Sequence, residues 1–430
     1  MGRRPARVAL RLAGAYPNTV PRGVTHEDLR SPAISPVAAA AGAAALSTTA
    51  NAQSPGSLTH DIPLAGADPT GEKDSSTAFQ RTVDKAADLG GGTILIPSGK
   101  YLIEQPIDLR FRRGIRFVGV SSGGGSGAGS QLHVARSGMN LFEMEQSKGI
   151  LFQNLFLHRD PVFRSDRGDG FHGIDQTSDC RFLDCTVFYF YHGAFLQNSW
   201  QNYFRGCLIC YCEIGAKVDV DGTGQSNDTK FEQCLVGQCS TYEIEINANT
   251  VYVFGCELES ITSQWGIFGR FGRDCVIANC SYIRGVNLGL EYARVTGNGV
   301  IGSPNQAGIL LVRANHAIVN SNVIRDSVGH GIKFYQSNDV LIEGNQILHS
   351  GSYASNTHSG VLLQEGSNRN NIRSNIIRRG SVNTKHGVDI NNLNGADGNA
   401  IVSNDLRDSS ISAPFSDGGL GTIASGNIIS

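Results

Sequence analysis

Carboxylates spaced two residues apart are the strongest chemical signal in this sequence. Asp219 and Asp221 form one pair, Glu243 and Glu245 form a second, and Glu291 lies further along the chain. Two carboxyl groups about 5–9 Å apart can act as the acid and the base, or the acid and the nucleophile, of a glycoside hydrolase. Crowding of like charges also raises the pKa of one carboxyl, as a general acid needs at neutral pH.

Basic and aromatic side chains accompany these acids, and we expect them to bind a sugar chain. They are Lys217, Arg270, Phe195, Phe268, Lys333, Tyr335 and Trp265. The alternative is a solvated face on which the basic residues only offset the acids. However, like charges directly opposite on adjacent strands destabilise a sheet, so an acidic cluster there needs a reason.

These side chains share one face only if the chain is a stacked repeat, and one pattern does recur from residue 151 onward. An apolar residue is followed by two variable residues, Asn or Cys, one variable residue and a second apolar residue. The Asn or Cys positions are Asn154, Cys185, Cys207, Cys234, Cys256, Cys280, Asn298, Asn322, Asn345, Asn375, Asn404 and Asn427. Most intervals are about 22–30 residues, which predicts a solenoid whose coils stack at about 4.8 Å.

The predicted coils place the acids on one face. Strand residues alternate between inward and outward, so apolar Ala216 and Val218 point inward while Asp219 points outward. Asp219 and Glu245 should then lie one coil apart, about 5 Å. Stacked Asn residues suit the bends, because Asn tolerates left-handed φ and its amide can bond the next Asn. Gly is 53 of 430 residues, an excess that we attribute to turns at the strand entries.

A segment before the repeat predicts a helix followed by short strands. Gly66-Ala67-Asp68 precedes a helix over about 76–89, then come Gly90-Gly91-Gly92 and Pro97-Ser98-Gly99-Lys100-Tyr101. This segment resembles the N-terminal motif of the pectate lyase superfamily, which phage tailspikes and several glycoside hydrolase families share. The resemblance implies an all-β fold, a right-handed parallel β-helix with an N-terminal capping α-helix. It also implies a substrate groove on the sheet that carries the acids.

We expect one parallel β-helix domain over residues 53–430, with about twelve coils over about 148–430. Residues 1–52 are predicted to be an export signal or a disordered leader, because a short apolar run precedes Ala50-Asn51-Ala52. Export implies a secreted or periplasmic protein. The chain stops inside a repeat unit, which suggests either oligomerisation, for example as a trimer, or truncation.

We interpret the cysteines and histidines mainly as structural residues. All ten Cys lie between residues 180 and 280, and we expect an inward stack of thiols, with disulfides as an alternative and no metal site. His172, His192, His330 and His386 each precede a Gly and are interpreted as turn residues. His158-Arg159-Asp160 matches a kinase loop, but the rest of the kinase motifs are absent.

Composition limits the function. The formal net charge of −2 gives no basic excess for nucleic-acid binding, and no stretch is long and apolar enough to cross a membrane. The sequence therefore predicts an exported enzyme that cleaves a polysaccharide in a groove. Hydrolysis, without a cofactor, is slightly favoured over a lyase reaction, for which the acids could hold Ca²⁺. The alternative is a non-catalytic surface, structural or tailspike-like glycan-binding protein.

Overall fold

The chain forms a parallel β-helix, as the resemblance implied. A computed structural model describes residues 59–62, 65–123, 129–222, 224–304, 306–351, 357–379, 384–391 and 395–430. These residues belong to one compact unit, 54–430. The predicted leader, residues 1–52, lies outside the described residues. In the described part of the chain, no helix has the length and apolar character needed to cross a bilayer.

The longest sheet runs the whole length of the solenoid, and each strand pairs in parallel with the strands one coil before and after it. Its fifteen strands, in spatial order, are β1 (Thr59–Asp61), β2 (Gly92–Ile96), β5 (Ile115–Gly119), β8 (Leu151–Gln153), β11 (Arg181–Leu183), β14 (Tyr203–Arg205), β17 (Lys230–Glu232), β20 (Tyr252–Phe254), β22 (Val276–Ala278), β24 (Arg294–Thr296), β27 (Ile318–Asn320), β30 (Leu341–Glu343), β33 (Asn371–Arg373), β36 (Ala400–Val402) and β38 (Ile423–Ser425).

A second parallel sheet, which we call the groove sheet, carries the candidate site. Its thirteen strands are β4 (Ile107–Asp108), β7 (Phe142–Glu145), β10 (Phe171–Ile174), β13 (His192–Gln197), β16 (Ile214–Asp219), β19 (Tyr242–Ile246), β21 (Trp265–Gly269), β23 (Val286–Leu288), β26 (Ala307–Val312), β29 (His330–Tyr335), β32 (Val361–Gln364), β35 (His386–Asn391) and β37 (Ala413–Asp417).

Two shorter sheets complete the coils. The first has six strands, β3 (Gly99–Ile103), β6 (Ser130–Val134), β9 (Leu155–Arg159), β12 (Thr186–Phe188), β15 (Leu208–Cys210) and β18 (Leu235–Gly237). The second has four strands, β25 (Gly299–Ile301), β28 (Val323–Arg325), β31 (Gln346–Leu348) and β34 (Ile376–Arg378). Coils already begin at β2, so the predicted start at about residue 148 was too late. The early coils lack the Asn/Cys pattern that defined the repeat.

The predicted helix is present as α1 (Ser76–Asp88). It buries Phe79, Val83 and Ala86, which recur at helical spacing, and it packs against β2, β4 and β5. Phe79 meets Tyr101 edge to face, with ring centroids 5.7 Å apart. One apolar face of the helix is thus buried at the N-terminal end of the solenoid.

The inward residues form one continuous core. Ala216, Val218, Ile244 and Ile246 all have no exposed surface, which confirms the alternation predicted for these strands. All ten cysteines are free and buried. The interpretation of the cysteines as an inward thiol stack is therefore confirmed.

The bend between the long sheet and its neighbour contains the predicted Asn stack. Asn322 Nδ2 donates to Asn345 Oδ1 at 2.9 Å, and Asn345 Nδ2 donates to Asn375 Oδ1 at 2.9 Å. The left-handed residue is not the stacked Asn but the residue before it, for example Ser374 with a φ of 55°. For the same reason Asn154, with a φ of 56°, precedes the stack and was assigned wrongly.

Glycine is needed near the start of the groove-sheet strands because neighbouring backbones approach closely there, and not only because the chain turns. A Cβ at Gly193 would lie 2.6 Å from the carbonyl oxygen of Gly215 and 2.3 Å from Ile209 Cγ2. A Cβ at Gly215 would lie 2.5 Å from the carbonyl oxygen of Glu243. The Gly excess therefore also reflects tight stacking at this corner of the coil.

Candidate active site

A pocket of about 770 Å³ opens on the outward face of the groove sheet. Strands β10, β13, β16 and β19 contribute the floor of the pocket. Residues 160–168, which we call the wall loop, form one side through their last two residues, Arg167 and Gly168. Its lining residues are Gly138, Asn140, Arg167, Gly168, Asp169, His172, Tyr191, His192, Phe195, Ile214, Lys217, Asp219, Val220, Tyr242, Glu245, Asn247, Arg270 and Phe271.

One outward residue of each groove-sheet strand is aligned with its counterpart on the next strand, and we call this row the central column. The column runs Asp108, Glu143, His172, Phe195, Lys217, Glu245, Phe268, Asn287, Leu310, Lys333, Leu362, Asp389 and Ser416. At a strand spacing of about 4.8 Å, the four positions from His172 to Glu245 span about 15 Å. The pocket therefore has room along the column for more than one sugar ring.

Lys217 lies between two of the predicted acids. Its Nζ is 3.1 Å from Asp219 Oδ2 and 3.3 Å from Glu245 Oε1, and Glu245 Oε1 also accepts from Asn247 Nδ2 at 2.8 Å. Burial alone would lower the pKa of Lys217, but the charges of Glu245 and Asp219 outweigh burial and raise it. Asp219 and Glu245 lie on neighbouring strands, as expected, but Lys217 rather than Asp219 is the residue directly opposite Glu245.

Asp169 holds two histidines of the pocket. Its Oδ2 lies 2.7 Å from His172 Nδ1, and its Oδ1 lies 2.8 Å from His192 Nδ1. Burial alone would raise the pKa of Asp169, but the hydrogen bonds from the two histidines outweigh burial and hold its pKa below the ordinary value. An ionised carboxylate can only accept, so both Nδ1 atoms carry protons. In each neutral ring Nε2 is then an unprotonated base.

Aromatic rings order both ends of the pocket. Phe195 lies between the two histidines, with ring centroids 5.3 Å from His172 and 5.1 Å from His192. At the other end Tyr242 stacks on Phe268 at 4.5 Å, and the Arg270 guanidinium lies 5.8 Å from the Phe268 ring. The histidines and the tyrosine are therefore held in fixed orientations by packing.

Five of the predicted site residues come together in this pocket, and a sixth lies beside it. The five are Lys217, Asp219, Glu245, Arg270 and Phe195, and Phe268 is the neighbour of Glu245 in the central column. The remaining six lie outside the pocket, and strand alternation in the sequence did not predict their positions.

Glu243 was predicted to point outward, and this was wrong. It has no exposed surface, and its polar neighbours among the described residues are Ser260, Ser263 and Arg284. Burial raises its pKa to about 8. It occupies the strand-entry position that is Gly193 and Gly215 in preceding coils, so its side chain enters the corner of the solenoid.

Asp221 and Glu291 were also expected on the groove strand and lie outside it. Asp221 follows the end of β16, is exposed, and accepts from Asn198 Nδ2 at 2.8 Å, away from the pocket. Glu291 follows β23, is exposed, and its backbone bridges to Arg273. The central-column residue of that coil is Asn287.

Three further predicted sugar-binding residues do not line the pocket. Trp265 is 8% exposed and packs with Ala307 and Leu310, so it offers no open face for a sugar ring. Lys333 and Tyr335 belong to the groove sheet, but four strand spacings separate Lys333 from Glu245. Lys333 Nζ donates to Gln306 Oε1 at 3.0 Å.

The Asp169 cluster was not predicted from the sequence. His172 is not a turn residue: it pairs with Phe195 and belongs to the central column. His192 begins β13 directly after the turn, which is closer to the prediction, yet its ring lines the pocket. The recurrence of His on consecutive coils, with Asp169 three residues before His172, was the signal that could have identified the cluster.

Metal chemistry finds no ready site in the described part of the chain. Those residues include no group of three or more His, Cys, Asp or Glu side chains placed to hold a metal ion. The pocket acids already contact Lys217, and Asp169 already contacts two histidines. The geometry therefore offers charged and hydrogen-bonding groups for a polar ligand, with a base at histidine.

Two family models match parts of the chain. Residues 63–160 match "Rhamnogalacturonase A/epimerase, pectate lyase-like", and residues 266–423 match "Periplasmic copper-binding protein (NosD)". The described residues of 266–423 gather no such metal-ligand group, so we derive no copper chemistry from the second match. No curated protein matches the chain.

Solved structures share the fold along most of the chain. The A-module of mannuronan C-5 epimerase AlgE6 from Azotobacter vinelandii superposes with a TM-score of 0.63 at 16% identity, over 86% of this chain and 99% of that one. DFA-IIIase from Arthrobacter chlorophenolicus gives 0.58 at 13% identity, over 86% and 99%. The GH87 α-1,3-glucanase from Streptomyces thermodiastaticus gives 0.55 at 15% identity, over 87% and 70%. Together with the pectate lyase-like match over residues 63–160, this shared architecture shows that the chain has the parallel β-helix fold of pectate lyase-like proteins.

Proposed function

We propose that this protein is a polysaccharide-acting enzyme whose pocket transfers protons on an acidic sugar. The observation that carries the proposal is the pair of hydrogen bonds from His172 and His192 to Asp169. A carboxylate that fixes the Nδ1 proton leaves Nε2 of the same ring free to take a proton from a substrate. Two such rings in one pocket favour acid–base chemistry over simple glycan binding.

Two arginines of the pocket favour an anionic sugar, because the three carboxylates of the pocket, of Asp169, Asp219 and Glu245, already contact Lys217 or the two histidines. Only two of the five predicted acids line it, and both contact Lys217. Arg167 and Arg270 also line it, and neither guanidinium forms an ion pair among the described residues. Cations beside a uronate carboxylate stabilise the negative charge that develops when the carbon next to it loses a proton.

Proton removal of this kind leads to β-elimination, as in a lyase, or to epimerisation when the proton returns on the other face. The names of the AlgE6 module and of the N-terminal family model support an acidic-glycan reaction of this kind. Hydrolysis is the second candidate, because Asp219 and Glu245 lie on the two sides of Lys217 and could act as a carboxylate pair. We therefore propose proton transfer on a uronate ahead of the hydrolysis that the sequence slightly favours.

The cellular setting belongs to the same proposal. We place the protein in the periplasm or outside the cell, with support from the apolar run before residue 52 and from the name of the second family model. A trimer would accompany the alternative function, a tailspike-like glycan-binding protein. Light scattering of the purified chain measures the oligomeric state.

The test is an assay of the purified protein on a panel of neutral and uronate polysaccharides, with and without added Ca²⁺. Three products are measured: new reducing ends, unsaturated uronates by ultraviolet absorbance, and changed sugar configuration by proton NMR. We expect unsaturated or epimerised uronates. Reducing ends without unsaturation would favour hydrolysis, and binding without any product would favour the non-catalytic alternative.

A further inference from the structure

Arg159 is the largest side chain in the described interior that is fully buried. It ends β9, has no exposed surface, and forms no ion pair with a carboxylate among the described residues. A buried guanidinium is costly unless its donors are satisfied. Its N–H donors therefore need acceptors inside the fold.

All the acceptors of Arg159 are backbone carbonyl oxygens, and three of them belong to the wall loop. Its Nη1 donates to Asp166 O at 3.0 Å and to Gly168 O at 3.4 Å. Its Nη2 donates to Arg167 O at 3.2 Å, and its Nε donates to Arg136 O at 3.2 Å. One planar cation thus binds three consecutive carbonyls of the loop from inside the coil.

The same loop end is constrained from the outside. A Cβ at Gly168, whose φ is 136°, would lie 2.5 Å from Met139 O, so the loop approaches the preceding coil closely. Ser137 Oγ donates to Asp166 Oδ2 at 2.6 Å. Asp169 directly follows Gly168, and its backbone nitrogen donates to Asn140 Oδ1 at 2.9 Å. The position of the Asp169 carboxylate therefore depends on the backbone that Arg159 holds.

We infer that Arg159 is a positioning residue for the acid–base pair: by binding the carbonyls of residues 166–168, it fixes Asp169 beneath His172 and His192. The hydrogen bonds of Arg159 all go to backbone carbonyls and none goes to a pocket-lining side chain. The effect of Arg159 on chemistry passes through the backbone, and through the attraction between its charge and the Asp169 carboxylate, to the two imidazoles. This inference deepens the proposed function, and its catalytic consequence rests on that function.

The variants are chosen to separate positioning from general stability. Arg159→Met removes every donor, whereas Arg159→Lys keeps the charge but presents its donors from a single nitrogen and cannot reach all four carbonyls. Arg378→Met is the matched control. Arg378 donates to the carbonyls of Ile377 and Asp405 and to the Asp405 carboxylate, far along the chain from the pocket.

The first readout needs no substrate. In protein with ¹⁵N-labelled histidine, the Nδ1 protons of His172 and His192 should exchange slowly with water, because both are held by Asp169. We expect their exchange to accelerate by at least about tenfold in Arg159→Met and Arg159→Lys, and to be unchanged in Arg378→Met. A folded Arg159 variant that keeps both slow protons would overturn the inference. If Arg159→Met does not fold, Arg159→Lys decides.

The second readout uses the reaction, once the panel has identified a substrate. We expect kcat to fall about 100-fold in Arg159→Lys with KM little changed, because misplacement of the base affects the chemical step. A kcat equal to that of Arg378→Met would contradict the inference. If no polysaccharide reacts with the unaltered protein, the proposed function fails, and the histidine exchange still decides the positioning role.

Discussion

Lys217 and Glu245 are opposite each other on neighbouring strands of the groove sheet, with Nζ 3.3 Å from Oε1. The same ammonium lies 3.1 Å from Asp219 Oδ2, so one cation serves two carboxylates. The three side chains are mostly buried, with exposed fractions of 21%, 8% and 17% for Lys217, Glu245 and Asp219. The centre of the pocket is thus a network of mutually dependent charges.

Removal of Lys217 should destabilise the protein. An arginine in its place would still contact both acids, so the test is Lys217→Met. This variant leaves two neighbouring carboxylates without their shared cation, and we expect a loss of about 1–3 kcal/mol in the free energy of unfolding. Urea unfolding at pH 7 measures it. Lys148→Met is the control, because the ion pair of Lys148 with Asp179 is exposed. The double variant Lys217→Met with Glu245→Gln should recover part of the lost stability. If the two substitutions changed the free energy of unfolding additively in a double-mutant cycle, the charge network would be contradicted.

Asp169→Asn should abolish most activity while it preserves the fold. The amide cannot hold both imidazoles with Nδ1 protonated, so the Nε2 base is lost from at least one ring. We expect kcat to fall by at least about 100-fold. Asp175→Asn is the control: Asp175 lies on the same coil and accepts from Asn198, outside the pocket. Full activity in Asp169→Asn, measured with the substrate found in the panel, would exclude the proposed base.

Glu243 should make stability depend on pH. In the unfolded chain its carboxyl ionises near the ordinary pKa of 4.5, whereas burial raises the pKa to about 8 in the folded chain. Between these values the folded state holds the additional proton, so the free energy of unfolding falls as pH rises, and the fall ends above the folded pKa. We expect Glu243→Gln to reduce this fall by about 2–5 kcal/mol.

Thermal and urea unfolding from pH 4 to pH 9 provide the comparison for Glu243. Glu259→Gln is the control, since Glu259 is an exposed carboxylate on the next coil. The fall in stability should persist in Glu259→Gln and flatten in Glu243→Gln. Parallel curves for the two variants would show that Glu243 is not the group responsible.

Asparagine and cysteine in the same stack should differ in their contribution to stability. Asn375 is buried, donates to Asn404 Oδ1 at 3.0 Å and accepts from Asn345 Nδ2 at 2.9 Å. Asn375→Ala leaves several buried partners unpaired, and we expect a loss of about 2–5 kcal/mol. Cys256→Ala removes a weak donor and a small apolar group, and should cost about 1 kcal/mol. If the two variants lost the same free energy of unfolding in urea, the Asn stack would not be a stabilising hydrogen-bond network.

Much of the fold could be predicted because the repeat is local and periodic. The Asn and Cys positions predicted the coils and the inward stack, and the alternation around Val218 predicted which face is buried. The repeat pattern did not predict positions in the stack to the exact residue. Asn154 matches the pattern but precedes the stack, because the left-handed residue of each bend is one position earlier than assumed.

The candidate site was predicted only in part, for the same reason. Lys217, Asp219 and Glu245 were placed correctly on one face, since strand alternation fixes side-chain direction wherever pairing is regular. Glu243 breaks that rule at the corner of the coil, where a side chain replaces the usual Gly. Which residue of each coil enters the central column depends on loop length, and in the coil of β23 it is Asn287 rather than Glu291.

The sequence by itself determined the architecture: a stacked solenoid, an apolar interior, and a polar face rich in charge. Tertiary structure alone decided which polar groups meet in the candidate site. It joined Asp169 to His172 and to His192 of the next coil, and it placed one lysine between two acids. The physical reason is that periodicity sets the direction of each side chain, whereas contacts between coils depend on the register and on loops whose path the repeat does not encode.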